Sequence, residues 1–176
     1  MTTYIALLRG INVAGKHRVP MKDLRSLMEG QGYRKVTTYI QSGNLVFQAP
    51  PSSTLRADLE TLIQQHFGFE VPVWIAEPSE LQRIHDACPF QEPEKQQSYF
   101  TFPSQPLSTA AVTLAATFER PMEQVMITAA CIYSYFEQGY GRSKMNNTFW
   151  ETKLGVDCTT RNYRTVCKLL ALASQD

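Results

Sequence analysis

The stretch RGINVAGKHR, residues 9–18, contains residue types that hold phosphate groups in other proteins. Gly10 and the pair Gly15 and Lys16 have the spacing of G-x-x-x-x-G-K-[ST], a loop whose backbone amides wrap nucleotide phosphates. His17, however, stands where the magnesium-binding hydroxyl belongs. A phosphate loop also runs directly into a helix, and here the first helix-starting residue is Pro20. The sequence therefore argues against a nucleoside triphosphate loop.

The same stretch still predicts a cationic, tightly turned loop. Arg9 and Lys16 supply positive charge, and Asn12 has a side chain suited to hydrogen bonds with a ligand or with nearby backbone. The hairpin segment TYIQSGN adds Gln41 and Asn44, of which the turn itself explains Asn44 better than Gln41. An ordinary connection with solvated charges is the alternative interpretation.

Two C-terminal segments carry further cations. In GYGRSKMNN, Arg142, Ser143 and Lys144 stand where a glycine-rich loop enters a predicted helix over residues 144–154. A helix N-terminus attracts anions, and neighbouring cations strengthen that attraction. The alternative is that Ser143 simply caps this helix and that the cations are solvated.

The last predicted helix covers residues 160–173. Arg161, Arg164 and Lys168 have the i, i+3, i+7 spacing of one helix face. Cations at a helix N-terminus oppose its dipole, and a bound anion would offset that cost. We therefore interpret Arg161 and Arg164, with Asn162 as a polar contact, as part of an anion site; a solvated face is the alternative.

No pattern of a hydrolase, a zinc protease or a paired-acid enzyme is present in the sequence. The four cysteines and three histidines lack metal-ligand spacing, so we expect no metal and no cofactor. With 43% hydrophobic and 19% charged residues and a net charge of +1, the chain is typical of a folded protein without a membrane span. Its first residues resemble no signal peptide, so we expect a cytoplasmic location and reduced, inert thiols.

The order of predicted elements positions these residues. Residues 1–76 indicate strand, helix, two hairpin strands, a second helix closed by Gly68, and a final strand that contains Pro72. This β-α-β-β-α-β order is typical of a ferredoxin-like unit, in which the fourth strand is an edge that tolerates proline. The second half predicts a similar order followed by helices. We thus predict an α+β protein with two ferredoxin-like halves, 1–77 and 78–176, each with an antiparallel sheet, and with C-terminal helices.

Three long segments also resemble a known family: LLRGINVAGKHRVPM, VTTYIQSGNLVF and GYGRSKMNNTFWETKLGVDCTTRNYRTVCKLLALA. They are similar to the signature segments of the bacterial family called domain of unknown function 1697. Ala14 departs from the usual second glycine of that family's loop, and Cys88 departs from its Asn-Pro-Phe segment. The resemblance implies a cytoplasmic α+β protein with two ferredoxin-like portions and implies no established activity.

Together these observations favour a protein that binds a phosphate-bearing ligand, either a nucleotide or a nucleic-acid backbone. The site would combine residues 9–18, 41–44, 139–144 and the start of the last helix. One alternative is an enzyme for a small phosphorylated or carboxylated metabolite, with Tyr39, His17 or a cysteine transferring a proton. Another is an assembly module that dimerises through a sheet edge. The sequence does not fix the oligomeric state.

Overall fold

The structure is a computed structural model that describes residues 1–13, 15–118 and 123–175. The chain divides into two compact units. The first comprises residues 1–81 together with the C-terminal residues from 168, and the second comprises residues 82–167. Within the described residues, no helix has the length and apolar character that crossing a membrane requires. Ala14, one of the departures from the family pattern, lies outside the described residues.

The first unit has the β-α-β-β-α-β order that the sequence predicts. Its sheet is antiparallel, with the strand order β2-β3-β1-β4. The elements are β1 (Thr2–Leu8), α1 (Met21–Gly30), β2 (Arg34–Tyr39), β3 (Asn44–Ala49), α2 (Leu55–Phe67) and β4 (Val73–Ala76).

One face of this sheet packs against its helices. Ala6 and Leu8 of β1 share a buried cluster with Leu24 and Met28 of α1, because alternate strand residues face the same side. The predicted edge strand is confirmed, because β4 is the outer strand of the sheet. Pro72 lies immediately before β4, and the Pro72 carbonyl accepts a hydrogen bond from the Arg9 amide at 2.9 Å. The first loop therefore begins at a fixed position on the sheet.

The second unit contains another antiparallel sheet, with the order β6-β7-β5-β8. Its strands are β5 (Tyr99–Pro103), β6 (Glu123–Ile127), β7 (Ile132–Phe136) and β8 (Cys158–Asn162), and its connecting helices are α4 (Thr109–Ala115) and α5 (Asn147–Leu154). Two further helices, α3 (Pro78–Asp86) and α6 (Tyr163–Ala173), each cross the boundary between the units. The prediction of an α+β chain with two ferredoxin-like sheets is confirmed.

Two predicted helix starts in this unit are wrong. Residues 158–162 are not helical but form β8, which pairs with β5 from Tyr99 opposite Asn162 to Pro103 opposite Cys158. Helix α5 begins at Asn147, where Asn146 caps it by accepting a hydrogen bond from the Phe149 amide, whereas residues 140–142 form a short 3-10 helix. In both cases a local pattern predicted a longer helix than the chain forms.

Candidate functional site

Asn12 connects the two loops at one end of the first sheet. Its side-chain amide donates to the carbonyl oxygens of Val19 and Gln41, both at 2.8 Å, and its Oδ1 accepts from the Val19 amide at 2.9 Å. Its backbone amide donates to the His17 carbonyl at 3.1 Å. Asn12 thus closes residues 12–19 into a loop and attaches that loop to the β2–β3 turn.

The two loops contain several residues in left-handed backbone conformations. Asn12, His17 and Ile40 have φ angles of 56°, 47° and 48°. Asparagine tolerates this region, but for a β-branched residue such as Ile40 it is a genuine outlier. Strained backbone of this kind persists only where surrounding contacts enforce it, and it is concentrated at functional sites.

The β2–β3 turn is held by its own internal contacts. Asn44 is fully buried, and its side-chain amide donates to the Tyr39 carbonyl at 3.0 Å and to Ser42 Oγ at 2.9 Å. The Gly43 carbonyl accepts a hydrogen bond from the Leu8 amide at 2.8 Å. Asn44 therefore sets the shape of the turn, and it presents Gln41 at the exposed surface.

The loop tip, defined here as Val13 and residues 15–18, is exposed at every position. A hydrogen bond from the Lys16 amide to the Val13 carbonyl, 3.0 Å long, closes the tip into a turn. The His17 ring stacks on Phe69 with 4.7 Å between ring centroids and 16° between planes. Residues 9–18 and 40–43 contain Arg9, Lys16 and Arg18 and no acidic residue, so these two segments carry only positive formal charge.

Two apolar side chains in these loops are exposed. Val13 is 62% exposed and Ile40 is 53% exposed. Each is the sequence neighbour of a residue in the Asn12–Gln41 hydrogen bond. The tip and the adjoining β2–β3 turn therefore combine charged and apolar groups, and the side-chain hydrogen bonds of Asn12 hold the two segments together.

The predicted residues of the C-terminal half lie in the second unit. Arg142 and Lys144 are exposed, and Ser143 Oγ accepts a hydrogen bond from the Met145 amide at 2.9 Å. Ser143 thus stabilises a turn before α5 instead of capping it. Asn147, the first residue of α5, accepts a hydrogen bond from Thr160 of β8, which connects this loop to the segment that contains Arg161.

Arg161 is a strand residue and only 8% exposed. Its guanidinium donates to Thr159 Oγ and to the Thr160 carbonyl, both at 2.9 Å. Asn162 caps α6 by accepting from the Thr165 amide at 2.9 Å, and Arg164 is exposed in the first turn of that helix. The predicted helical face with Arg161 and Arg164 is wrong, because the two arginines stand on different elements.

The structure thus brings Arg9, Asn12, Lys16, Gln41 and Asn44 together at one end of the first sheet. Arg142, Ser143, Lys144, Arg161, Asn162 and Arg164 belong to the second unit. Asn12, Asn44 and Asn162 use their side-chain amides on the protein's own backbone. Of the predicted residues, the following are exposed and have side chains suited to a ligand: Lys16, Gln41, Arg142, Lys144 and Arg164.

A comparison with protein-family models matches residues 1–133 to the model described as protein of unknown function (DUF1697). The chain belongs to this DUF1697 family. A solved structure of conserved bacterial protein SP0830 from Streptococcus pneumoniae resembles the DUF1697 chain with a TM-score of 0.79. The two are 24% identical over 98% of each chain, and this likeness concerns the fold alone. No curated protein matches the chain.

The DUF1697 chain also holds a cluster of titratable side chains that the sequence did not indicate. In the second unit, Cys167 Sγ lies 3.6 Å from His85 Nε2, and His85 Nδ1 lies 3.0 Å from Asp86 Oδ1. Cys167 and His85 are 82 positions apart, so no local spacing connects them. The sequence shows only that His85 and Asp86 are adjacent, and two adjacent residues of these types do not by themselves indicate a catalytic site.

Proposed function

We propose that the protein binds a phosphate-bearing polymer, a nucleic-acid backbone, through the loop tip of its first unit. The observation that carries this proposal is the combination of exposed Lys16 and Arg18 with a loop whose shape Asn12 fixes through three side-chain hydrogen bonds. Cations on a backbone that is already ordered lose less conformational entropy when they bind.

The exposure of the tip favours a polymer over a small metabolite. Small-molecule sites enclose most of their ligand within a concave pocket, whereas Val13 and residues 15–18 all face solvent. Phosphate contacts made by Lys and Arg supply most of the affinity for a nucleic-acid backbone, and apolar side chains can rest against sugars and bases. The exposure of Val13 and Ile40 supports the second kind of contact.

The second unit has exposed cations of its own, which we propose as phosphate contacts of that unit. Arg142, Lys144 and Arg164 have exposed side chains. Arg161 is not among these exposed contacts, because its side chain is buried and its guanidinium donates hydrogen bonds within its own strand. We further propose that this function operates in the bacterial cytoplasm, where the four free cysteines stay reduced.

The test measures fluorescence anisotropy of labelled, mixed-sequence RNA and DNA, single-stranded and duplex, with the full chain. The variant Lys16→Ala with Arg18→Ala removes two tip cations. If both contact phosphates, the slope of log affinity against log salt concentration becomes shallower by about 1.4 for a single strand and about 1.8 for a duplex. Affinity at low salt falls at the same time.

A charge-matched control distinguishes the tip from general positive charge. Arg34 begins β2 and Arg56 lies in the first turn of α2, both exposed and at the opposite end of the first sheet from the loops. Arg34→Ala with Arg56→Ala should leave the salt slope unchanged. Equal losses in the two double variants, or an absence of binding by the unmodified chain at low salt, would overturn the proposal.

A third variant tests the role of loop shape. Asn12→Ala keeps every charge but removes the three side-chain hydrogen bonds that fix the loop. We expect a severalfold loss of affinity with the salt slope retained, because the phosphate contacts still form after the loop is ordered. An unchanged affinity would contradict the preorganised loop.

A further inference from the structure

We propose that Cys167 is a nucleophilic thiol, activated by His85 and Asp86, that exchanges with low-molecular-weight disulfides. The three groups stand in series: thiol, imidazole, carboxylate, with contacts of 3.6 Å and 3.0 Å. This is the arrangement in which a histidine takes the proton of a nucleophile while a carboxylate orients the ring. The cluster lies within the second unit, whereas the loop tip belongs to the first.

The carboxylate determines which ring nitrogen faces the thiol. An ionised Asp86 can only accept a hydrogen bond, so Nδ1 of His85 carries the proton and Nε2 keeps its lone pair toward Cys167. The hydrogen bond from His85, followed by a 2.8 Å bond from Gln82, holds the pKa of Asp86 below its ordinary value. Asp86 is therefore ionised at neutral pH.

Aromatic side chains fix the imidazole plane. His85 stacks with Tyr163, 5.4 Å between ring centroids and 28° between planes, and lies parallel to Phe100 at 6.4 Å and 6°. Interaction with the Cys167 thiol raises the pKa of Tyr163, so the Tyr163 hydroxyl stays protonated at neutral pH.

Exposure separates Cys167 from the other cysteines. Cys88, Cys131 and Cys158 are buried, whereas Cys167 is half-buried. Burial raises the pKa of Cys131 well above its ordinary value, which makes that thiol a poor nucleophile. The chain thus carries three buried thiols as internal references for the reactivity of one accessible thiol.

The exchange reaction balances without any further reagent. His85 Nε2 takes the proton from Cys167 Sγ, and the sulfur electron pair attacks one sulfur of the disulfide. A new S–S bond forms, the old S–S bond breaks, and the proton on His85 passes to the departing thiolate when that thiolate is basic, or to solvent water when it is not. Cys167 is oxidised and the departing sulfur is reduced. Attack on sulfur needs no donor for a developing oxyanion, so these three side chains suffice.

The test follows exchange of the full chain with dithiobis-nitrobenzoate by the absorbance of its released thiolate, and with oxidised glutathione by intact mass. Cys167→Ser should remove the fast phase and leave only slow reaction of buried thiols. A fast phase that survives this substitution would overturn the assignment of the thiol.

The base is tested by His85→Phe, which keeps a ring for stacking but has no nitrogen. A thiol without a base, of ordinary pKa about 8.5, is about 3% ionised at pH 7, so full activation accelerates exchange by at most about thirtyfold. We expect His85→Phe to slow exchange at pH 7 by about tenfold or more. At a pH about one unit above the ordinary pKa of a free thiol, no base is needed for ionisation, and the two rates should converge.

The pH dependence distinguishes activation from a structural role. A substitution that merely changes access to the thiol would slow exchange by the same factor at every pH, and that result would overturn the role of His85. Asp86→Asn is a second, independent variant in case His85→Phe does not fold. It should slow exchange at pH 7 severalfold, and its rate should approach that of the unmodified chain at high pH. Among the described residues, Lys95 acts on the charge of Asp86, and Glu92 and Cys88 act on Tyr163, which stacks on His85.

Discussion

Gly43 offers a direct test of how closely the β2–β3 turn approaches the first strand. A Cβ atom at this position would lie 2.6 Å from Leu8 Cβ and 2.9 Å from Ile11 Cδ1, with φ at +76°. Leu8 is fully buried, and its amide is bonded to the Gly43 carbonyl. Leu8 and Ile11 are both buried in the core, so they cannot move away from the added methyl group without breaking core contacts. Gly43→Ala must therefore distort this end of the sheet.

The expected loss has two parts. A left-handed conformation costs an alanine about 1–2 kcal/mol relative to glycine, and forcing an extra methyl group into a packed site costs about 1–3 kcal/mol. Gly43→Ala should therefore lower the free energy of unfolding by about 2–5 kcal/mol. Gly10→Ala is the matched control, because Gly10 has φ +68° with no heavy atom within 4 Å of its added Cβ. It should lose only the backbone part, about 1–2 kcal/mol.

Urea unfolding followed by far-ultraviolet circular dichroism measures both variants against the unmodified chain. Equal dependence of unfolding free energy on urea concentration justifies the comparison. The difference between the two variants isolates the close approach of the turn to Leu8. If Gly43→Ala is no less stable than Gly10→Ala, the steric argument is wrong and the turn is looser than the contacts indicate.

Two further predictions concern the second unit. Ser134 is 1% exposed and its Oγ has no hydrogen-bond partner among the described residues, so Ser134→Ala should be neutral or stabilising by up to about 1 kcal/mol. Thr128→Ala, by contrast, removes a hydroxyl that bonds to both backbone groups of Cys131 and should cost about 1–2 kcal/mol in the same unfolding assay; equal effects of the two substitutions would refute this reasoning. Burial raises the pKa of Tyr133, whose hydroxyl donates to the Ile84 carbonyl at 2.8 Å. A raised pKa contributes stability that is complete below the unfolded-state pKa of about 10 and is lost as the pH rises above it. We expect Tyr133→Phe to be less stable than the unmodified chain at pH 7. Between about pH 9 and pH 11, however, its free energy of unfolding should fall by less. Parallel pH profiles of the two proteins would contradict a raised pKa for Tyr133.

The order of elements in the first unit could be predicted because its signals are local. Each signal starts or ends an element within a few residues: Pro20 precedes α1, Gly68 ends α2, and Gly43 lies in the β2–β3 turn. The structure confirms that order and places Pro72 next to an edge strand. The cationic character of residues 9–18 is likewise a property of the sequence alone.

Arg161 shows where local reasoning failed. The segment from Thr159 has helical spacing of its cations, and residues 163–173 do form a helix, but residues 158–162 pair with β5 some sixty positions earlier. Thr159 and Thr160 are β-branched and therefore fit a strand well. Pairing with β5 gives their backbone N–H and C=O groups hydrogen-bond partners, as a helix would also do. Tertiary pairing decides between two locally acceptable structures.

The candidate sites divide in the same way. The sequence by itself determined the fold class, the family segments and the charge of the first loop, because periodicity, turn residues and charge are properties of neighbouring positions. Only the tertiary structure decided that Asn12 joins residues 12–19 to Gln41, that Gly43 lies against Leu8, and that Cys167 meets His85. These contacts connect positions 29, 35 and 82 residues apart, and no local preference specifies a distance between residues that the folded backbone alone brings together.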